Sequence, residues 1–134
     1  MAVESTHALV DRLGEFDRLV EVGIGRRTDV AAGLARRGVD VTATDVHEFV
    51  VPDGVGFVRD DVTRPEADVY ADADALYALN CPPELQRPVH ELARRHDAAF
   101  YFTTLGGDPA TVPAAPETIP GETLFVATTR PDVR

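Results

Sequence analysis

The chain has 134 residues, a length that typically forms one domain around one hydrophobic core, so we expect a single domain over 1–134. Its 23 acidic residues outnumber its 13 basic residues, and the net charge of −10 argues against a broad nucleic-acid surface. No apolar run is long enough to span a membrane and no signal peptide is evident, so we expect a cytoplasmic protein with no membrane association. Every basic residue is an arginine, and we interpret this acidic, lysine-free composition as an adaptation to a salt-rich cytoplasm.

The predicted elements alternate between helices and strands. Residues 4–15 form an amphipathic helix with Ser5 or Thr6 as its N-cap, and Thr28 is the candidate N-cap of a helix over 28–38. Apolar patterns separated by turn residues predict six strands and a third helix, namely strands over 16–23, 39–46, 55–62, 74–80, 98–105 and 123–130, and a helix within 81–96.

A loop is predicted between the last two strands. The stretch 106–123 contains four of the ten prolines and three glycines, so we expect one final strand and no antiparallel pair. Strands that alternate with helical or irregular crossovers predict a three-layer α/β domain, with a mostly parallel sheet and helices on both faces.

The first strand runs into a glycine turn, in which Gly23 and Gly25 follow Glu21. Glycines allow close approach of a ligand to the backbone, and the helix that follows presents free N–H groups. A dinucleotide fingerprint needs glycine at position 28, where Thr28 stands, whereas E-x-G-x-G resembles the first motif of class I S-adenosylmethionine-dependent methyltransferases. That motif usually has a third glycine where Arg27 stands; Arg27 either crowds the methionine end of the cofactor or brings a cation to a phosphate or carboxylate. The alternative is a tight turn that binds no ligand.

Acidic residues end the next two strands. Asp45 follows Gly25 by twenty residues, where a carboxylate can accept both ribose hydroxyls; the alternative is a strand-end Asx turn. Asp60 and Asp61 end the third strand, and in the resembled methyltransferases an acid here often binds the adenine amino group; the alternative is a capping or solvated pair. Ligands of open α/β sheets bind at the carboxyl edge where these residues meet, so we expect them to form one site.

The fourth strand leads into Asn80, Cys81 and two prolines, followed by Glu84. Amino-methylating enzymes often carry Asn/Asp-Pro-Pro-aromatic here, but Cys81 is inserted and Glu84 replaces the aromatic residue. Asn80 and Glu84 either line the pocket or cap the next helix. Cys81 is interpreted as a small buried residue rather than a nucleophile, and we name no catalytic residue.

The four histidines show no metal-ligand spacing, so we expect no metal site. His90 is predicted on the polar side of its helix and His96 near the end of that helix, where the helix dipole accounts for it. His47 follows Asp45 at the expected ligand edge and is a further candidate.

Two longer stretches, "VEVGIGRRTDVAAGLARRGVDVTATDV" and "RDDVTRPEADVYADADALYALNCPPELQ", resemble a small uncharacterised archaeal family, uncharacterised protein family 0146. Its members keep an E-x-G-x-G turn followed by a basic residue, an Asp-Asp-Val-x-x-Pro segment and a P-P-E-L helix start. The resemblance implies a Rossmann-like, class I methyltransferase-like fold with about six strands, and a haloarchaeal origin fits the composition.

Three functions follow as hypotheses. The first is binding of an adenosyl ligand, S-adenosylmethionine, at Glu21, Gly23, Gly25, Asp45 and Asp61, with transfer of its methyl group. The second is a non-catalytic module that binds a nucleotide or metabolite. The third, an NAD-dependent oxidoreductase, is disfavoured because the chain has no lysine for a Tyr-x-x-x-Lys pair. The chain is short for a methyltransferase, so a substrate pocket would come from the amino-terminal helix, the 106–123 loop or a second subunit, and we expect a homodimer.

Overall fold

The computed structural model describes residues 2–128. Its elements in chain order are α1 (Ala2–Leu13), β1 (Arg18–Val22), α2 (Asp29–Arg36), β2 (Asp40–Asp45), β3 (Val55–Arg59), α3 (Ala67–Tyr70), β4 (Ala75–Ala78), α4 (Pro83–Arg95), β5 (Ala99–Phe102), β6 (Ala114–Ile119) and β7 (Glu122–Ala127).

The strands form one sheet in the order β3-β2-β1-β4-β5-β7-β6. The first five strands of the chain pair in parallel, and β7 pairs antiparallel with both β5 and β6. The chain adds strands outward from β1 in one direction and then crosses to β4 on its other side. The carboxyl ends of β1 and β4 are therefore the topological switch point, which is where open α/β sheets bind ligands.

Helices cover both faces of the sheet and create two cores. On one face, α1 and α2 pack on the sheet through residues that include Leu9, Leu13, Leu19, Leu34 and Val41. On the other face, α3 and α4 bury Tyr70, Leu76, Val89, Leu92, Phe100 and Phe102. Each fully buried side chain of this kind contributes about 1.5–3 kcal/mol, so both layers stabilise the sheet. The predicted three-layer architecture is confirmed.

The carboxyl-terminal half of the sheet differs from the prediction. The sheet has seven strands rather than six, because β6 lies inside the stretch 106–123 that was predicted as a loop. The expected absence of an antiparallel pair is also wrong, since β6 and β7 form a hairpin. Pro116 is tolerated because β6 is the edge strand, and Pro120 with Gly121 makes the two-residue connection, where Gly121 has φ +82°.

Some element ends also differ. Helix α1 begins at Ala2, so Ser5 and Thr6 lie inside it and neither is its N-cap. Thr28 is at the N-cap position of α2, but its side chain makes no capping hydrogen bond. The strand predicted over 123–130 ends at Ala127, and residues 129–134 lie outside the described residues. Within residues 2–128, no helix has the length and apolarity that crossing a membrane requires.

Candidate functional site

A cleft of about 260 Å³ opens at the carboxyl ends of β1, β2 and β4, beside the start of α4. Its position is the topological switch point of the sheet. The walls are mostly apolar, and four of the predicted site residues line it: Gly23, Asp45, Asp60 and Asn80. The apolar part of the lining includes Val22, Val46, Val62, Leu79, Pro82 and Leu85. Apolar walls with a few convergent polar groups are typical of small-molecule sites.

The glycine turn is fixed to β2 by backbone hydrogen bonds. The N–H groups of Gly23 and Ile24 donate to the carbonyl of Thr44 at 2.8 and 3.0 Å. Gly23 has φ +73° and Gly25 has φ +54°, values that favour glycine. A Cβ atom at either glycine would meet nothing within 4 Å, so conformation rather than crowding inside the protein requires glycine here. The open space above Gly23 leaves its backbone accessible from the cleft.

Asp45 connects the turn to the end of β2. Its Oδ2 accepts a hydrogen bond from the N–H of Gly25 at 3.0 Å, and its Oδ1 accepts one from the N–H of His47 at 3.0 Å. The second contact is the Asx turn considered as the alternative. A carboxylate can accept about four hydrogen bonds, so Asp45 retains capacity toward a ligand in the cleft. His47 is exposed and is not among the described residues that line the cleft.

Asp60 and Asp61 differ in position. Asp60 lines the cleft and accepts hydrogen bonds from the Tyr70 hydroxyl at 2.6 Å and from the Glu66 N–H at 3.1 Å. Asp61 is exposed, lies outside the cleft lining and accepts bonds from the hydroxyl and N–H of Thr63. These bonds hold the pKa of Asp61 below its usual value. The structure therefore places one carboxylate of the pair in the cleft.

Asn80 lies at the lip of the cleft in a left-handed conformation, with φ +52°. Its N–H donates to Oγ1 of the fully buried Thr103 at 2.8 Å, and the N–H of Cys81 donates to the Thr103 carbonyl at 2.8 Å. The N-cap of α4 is Pro82, so the alternative that Asn80 caps this helix is wrong. Glu84 is exposed in the first turn of α4 and is not among the described lining residues.

Cys81 lines the cleft but is not activated. Its side chain is 2% exposed, and burial raises the pKa of the thiol to about 12. A thiol that stays protonated at neutral pH is a poor nucleophile, in agreement with its interpretation as a small buried residue.

Glu21 lies on the opposite face of the sheet from the cleft. Its carboxyl is fully buried, and Oε1 accepts a hydrogen bond from the Tyr77 hydroxyl at 2.8 Å. Oε2 is buried and has no hydrogen-bond partner. Burial raises the pKa of Glu21 to about 8, although the Tyr77 hydroxyl and the charge of Arg27 both act in the opposite direction. Glu21 is therefore held mostly in its neutral form at pH 7.

Arg27 also lies away from the cleft. Its Nε is 3.2 Å from Oδ1 of Asp29, and its Nη1 is 3.8 Å from Oε1 of Glu122 at the start of β7. Nη2 is buried and has no hydrogen-bond partner. Glu21 and Arg27 thus form part of a polar group behind the glycine turn, whereas Gly23 faces the cleft in front of it.

The first turn of α2 already carries a carboxylate. Asp29 accepts a hydrogen bond from the N–H of Val30 at 2.9 Å, and its other oxygen accepts one from the Thr6 hydroxyl at 2.6 Å. The free N–H groups of a helix N-terminus are the usual binding site for a phosphate in dinucleotide-binding folds. Here one of those N–H groups, that of Val30, is already bonded to the carboxylate of Asp29.

The histidines of the described residues do not form a metal site. His90 is 6% exposed and its Nε2 donates to the carbonyl of Thr128 at 2.6 Å, so its predicted place on the polar side of α4 is wrong. The buried face of α4 includes the polar residues Gln86 and His90 as well as its apolar residues. Within the described residues, no group of three or more His, Cys, Asp and Glu side chains is arranged to hold a metal ion.

A larger groove of about 760 Å³ runs between α1 and α2, on the outside of the domain. It extends from Asp29 at the start of α2 to Arg36 and Arg37 at its end, and residues 23–28 of the glycine turn do not line it. We assign the candidate site to the smaller cleft, because there the sheet topology, the turn and two carboxylates converge.

Comparisons with solved structures agree with this fold. The chain is similar to an RNA methyltransferase from Salinibacter ruber in complex with S-adenosyl-L-homocysteine, with a TM-score of 0.67 and 15% identity over 94% of this chain and 93% of that chain. It is also similar to magnesium protoporphyrin IX methyltransferase from Synechocystis with bound S-adenosylmethionine, with a TM-score of 0.60 and 12% identity over 94% and 81% of the two chains. At this identity, the similarity shows a Rossmann-like, class I methyltransferase fold.

Comparisons with sequences identify relatives in archaea. A UPF0146 protein of Halobacterium salinarum is 58% identical over 116 residues, which are 86% of this chain and 90% of that protein. A UPF0146 protein of Archaeoglobus fulgidus is 47% identical over 91 residues, or 68% and 70% of the two chains. The model of Uncharacterised protein family UPF0146 matches residues 4–130. The chain therefore belongs to family UPF0146, as the glycine turn, the Asp-Asp-Val segment and the P-P-E-L helix start predicted.

Proposed function

We propose that the cleft binds S-adenosylmethionine and that the protein transfers its methyl group. The observation that carries this proposal is the convergence of Gly23, Asp45, Asp60 and Asn80 on one cleft at the switch point between β1 and β4. The solved structures that share this fold include methyltransferases with bound S-adenosylmethionine or S-adenosylhomocysteine, which supports the same ligand class here.

Each polar group has a proposed role in holding the adenosyl ligand. Asp45 accepts the ribose hydroxyls, because it ends β2 and keeps free acceptor capacity beside the glycine turn. Asp60 accepts from the adenine amino group and Tyr70 keeps its carboxylate in place. Gly23 gives the ligand access to the backbone, and the apolar side chains Val46 and Val62 pack on the adenine.

The charge of the cleft favours this ligand over a nucleotide phosphate. Among the described residues that line the cleft, two are carboxylates and none is basic. Asp29 occupies the first turn of α2, where a pyrophosphate would otherwise bind. A sulfonium cation suits these surroundings, whereas the phosphates of NAD or ATP are repelled by them. The oxidoreductase hypothesis is disfavoured on the same ground.

The protein's contribution to methyl transfer is positioning. S-adenosylmethionine supplies an activated methyl group, and the reaction needs a nucleophile held in line with the methyl–sulfur bond. Asn80 stands at the lip of the cleft, where Thr103 holds its backbone, and its proposed role is to orient the acceptor through its side-chain amide. The apolar wall formed by Leu85 and Val89 excludes water from the same region.

The test is calorimetric titration at high salt with S-adenosylmethionine, S-adenosylhomocysteine, NAD and ATP. We expect micromolar binding of the first two ligands only. Asp45→Ala should weaken that binding at least tenfold, because ribose contacts through a charged acceptor contribute about 1.5–3 kcal/mol. Asp53→Ala removes the same charge from an exposed turn and is the matched control. Binding of NAD or ATP in preference, or equal binding by the Asp45 variant, would contradict the proposal.

A non-catalytic binding module is the second candidate. Cys81 separates Asn80 from the prolines, and Glu84 points into solvent where amino-methylating enzymes often carry an aromatic residue. These departures favour a protein that binds the adenosyl ligand without turnover. Binding of S-adenosylmethionine without transfer of its labelled methyl group to any acceptor fraction would support this candidate over the enzyme. Light scattering of the same sample tests the expected homodimer.

A further inference from the structure

Two buried atoms without a partner lie behind the glycine turn. Within residues 2–128, three buried side-chain nitrogen or oxygen atoms lack a hydrogen-bond partner, and two of them are Oε2 of Glu21 and Nη2 of Arg27. A buried polar atom that is left unpaired is unfavourable by about 1–3 kcal/mol, so native proteins rarely keep one without a reason. One of these atoms is an acceptor and the other a donor, which makes them chemically complementary.

The residues around these atoms come from four elements, β1, β4, α2 and β7, and from the turn itself. Tyr77 on β4 donates to Oε1 of Glu21, and Asp29 at the start of α2 adds a second carboxylate nearby. Glu122 on β7 and Asp29 hold two of the three guanidinium nitrogens of Arg27. We call these five residues the Glu21–Arg27 cluster. Two carboxylates therefore hold the guanidinium group of Arg27, and its third nitrogen, Nη2, has no partner.

The cluster holds the glycine turn at both ends. Glu21 lies two residues before Gly23, and Arg27 lies two residues after Gly25. Between them, the N–H of Gly25 is bonded to Asp45, a residue that lines the cleft. Because Glu21 and Arg27 flank the turn, a direct contact between their side chains would act on the backbone that connects them, and through it on the Gly25 N–H and Asp45.

We propose that Arg27 is a positioning residue: when Glu21 ionises, Nη2 of Arg27 pairs with its free oxygen Oε2, and the buried ion pair fixes the glycine turn in its ligand-binding form. The proton leaves the Glu21 carboxyl for solvent, and no other bond forms or breaks. The effect on ligand affinity rests on the proposed function, whereas the coupling between Glu21 and the turn does not.

The electrostatics of the cluster support a change of state in an accessible pH range. Burial raises the pKa of Glu21 to about 8, so its neutral form dominates at pH 7 and its ionised form above pH 8. Arg27 and the Tyr77 hydroxyl favour ionisation, and Asp29 opposes it. A ligand that binds the ionised form more tightly must, by linkage, lower the pKa of Glu21 when it binds.

The first test uses the ligand-free protein and nuclear magnetic resonance. We expect the Glu21 carboxyl carbon to titrate with a midpoint near pH 8, and the Gly25 amide signal to move with the same midpoint. Arg27→Gln should raise the Glu21 midpoint by about one pH unit or more, because it removes the neighbouring positive charge. In this variant the Gly25 signal should no longer follow Glu21.

Two variants serve as controls. Arg27→Lys keeps the charge and should keep the Glu21 midpoint within about half a pH unit of the wild-type value. Arg26→Gln removes the same charge from an exposed neighbour on the turn and should leave both signals unchanged. A Gly25 signal that does not follow Glu21 in the wild-type protein overturns the proposal, whether or not the variants fold. An unchanged midpoint in Arg27→Gln also overturns it.

The second test measures affinity for S-adenosylmethionine at about pH 6.5 and pH 9. We expect at least about threefold tighter binding at the higher pH in wild type and Arg26→Gln, and a smaller change in Arg27→Gln. Equal pH dependence in the two variants overturns the positioning role. If no protein binds the ligand while the Glu21 and Gly25 signals remain coupled, the proposed function fails and the coupling stands.

Discussion

The hydroxyl of Tyr77 donates a 2.8 Å hydrogen bond to Oε1 of Glu21, and the two residues are register partners on the neighbouring strands β4 and β1. This bond joins the strands whose carboxyl ends form the switch point. Oε1 is the one oxygen of the buried Glu21 carboxyl that has a hydrogen-bond partner. The Glu21–Tyr77 pair is therefore part of the core on the α1 and α2 face. We expect that loss of its hydrogen bond affects both the stability of the protein and the glycine turn.

Tyr77→Phe should lower the free energy of unfolding by about 1–3 kcal/mol, because Oε1 of Glu21 then has no donor in a buried site. The same change should raise the pKa of Glu21 further, since the Tyr77 hydroxyl favours its ionised form. Urea unfolding at pH 7 and high salt measures the first effect. Tyr101→Phe removes a hydroxyl from the neighbouring strand β5 and is the comparison. An equal loss of unfolding free energy in the two variants would contradict a particular contribution of the bond to Glu21.

Glu21 should make stability depend on pH. Its folded pKa of about 8 lies above the unfolded value of 4.5, so the folded state binds more protons between these limits. The free energy of unfolding contributed by this group is highest below pH 4.5, falls as the pH rises toward 8, and then levels. Glu21→Gln should remove this pH dependence, whose total change in unfolding free energy is at most about 5 kcal/mol. Parallel pH profiles for the two proteins would contradict the raised pKa.

Thr103→Val should loosen the lip of the cleft. Oγ1 of Thr103 is the acceptor for the Asn80 N–H, and the Thr103 side chain is fully buried, so valine fills the space but leaves that N–H without its partner. We expect a loss of about 1–3 kcal/mol in unfolding free energy and faster amide exchange at Asn80. Thr118→Val, on the exposed edge strand β6, is the control and should change stability by less than about 0.5 kcal/mol.

Gly121→Ala should destabilise the carboxyl-terminal hairpin. Gly121 has φ +82°, and an added Cβ would lie 3.2 Å from Cβ of Ser5, so both conformation and space oppose the change. The expected loss in unfolding free energy is about 1–2 kcal/mol. Gly107→Ala is the matched control, because a Cβ there would meet nothing within 4 Å and the residue has no positive φ. Equal melting temperatures for the two variants would contradict the strain at Gly121.

The sequence alone determined the layers of the fold and most of the carboxyl edge. Periodicity identified the five parallel strands, and the carboxyl ends of parallel strands necessarily meet at one edge of the sheet. The grouping of Gly23, Asp45 and Asn80 follows from that geometry. The pairing of Tyr77 with Glu21 was missed, although both lie on adjacent parallel strands, because an isolated tyrosine in an apolar strand gives no signal of its partner.

Only the tertiary structure decided which face each side chain occupies. Successive residues of a strand point to opposite faces, so Val22 reaches the cleft while Glu21 is buried beneath α2, and no local pattern says on which face the cleft opens. Strand β6 was predicted as a loop because 106–123 contains four prolines and three glycines, yet Pro116 lies on an edge strand, which needs no N–H at that position. Long-range contacts, rather than local propensity, brought Glu122 to Arg27 and left Asp60 in the cleft.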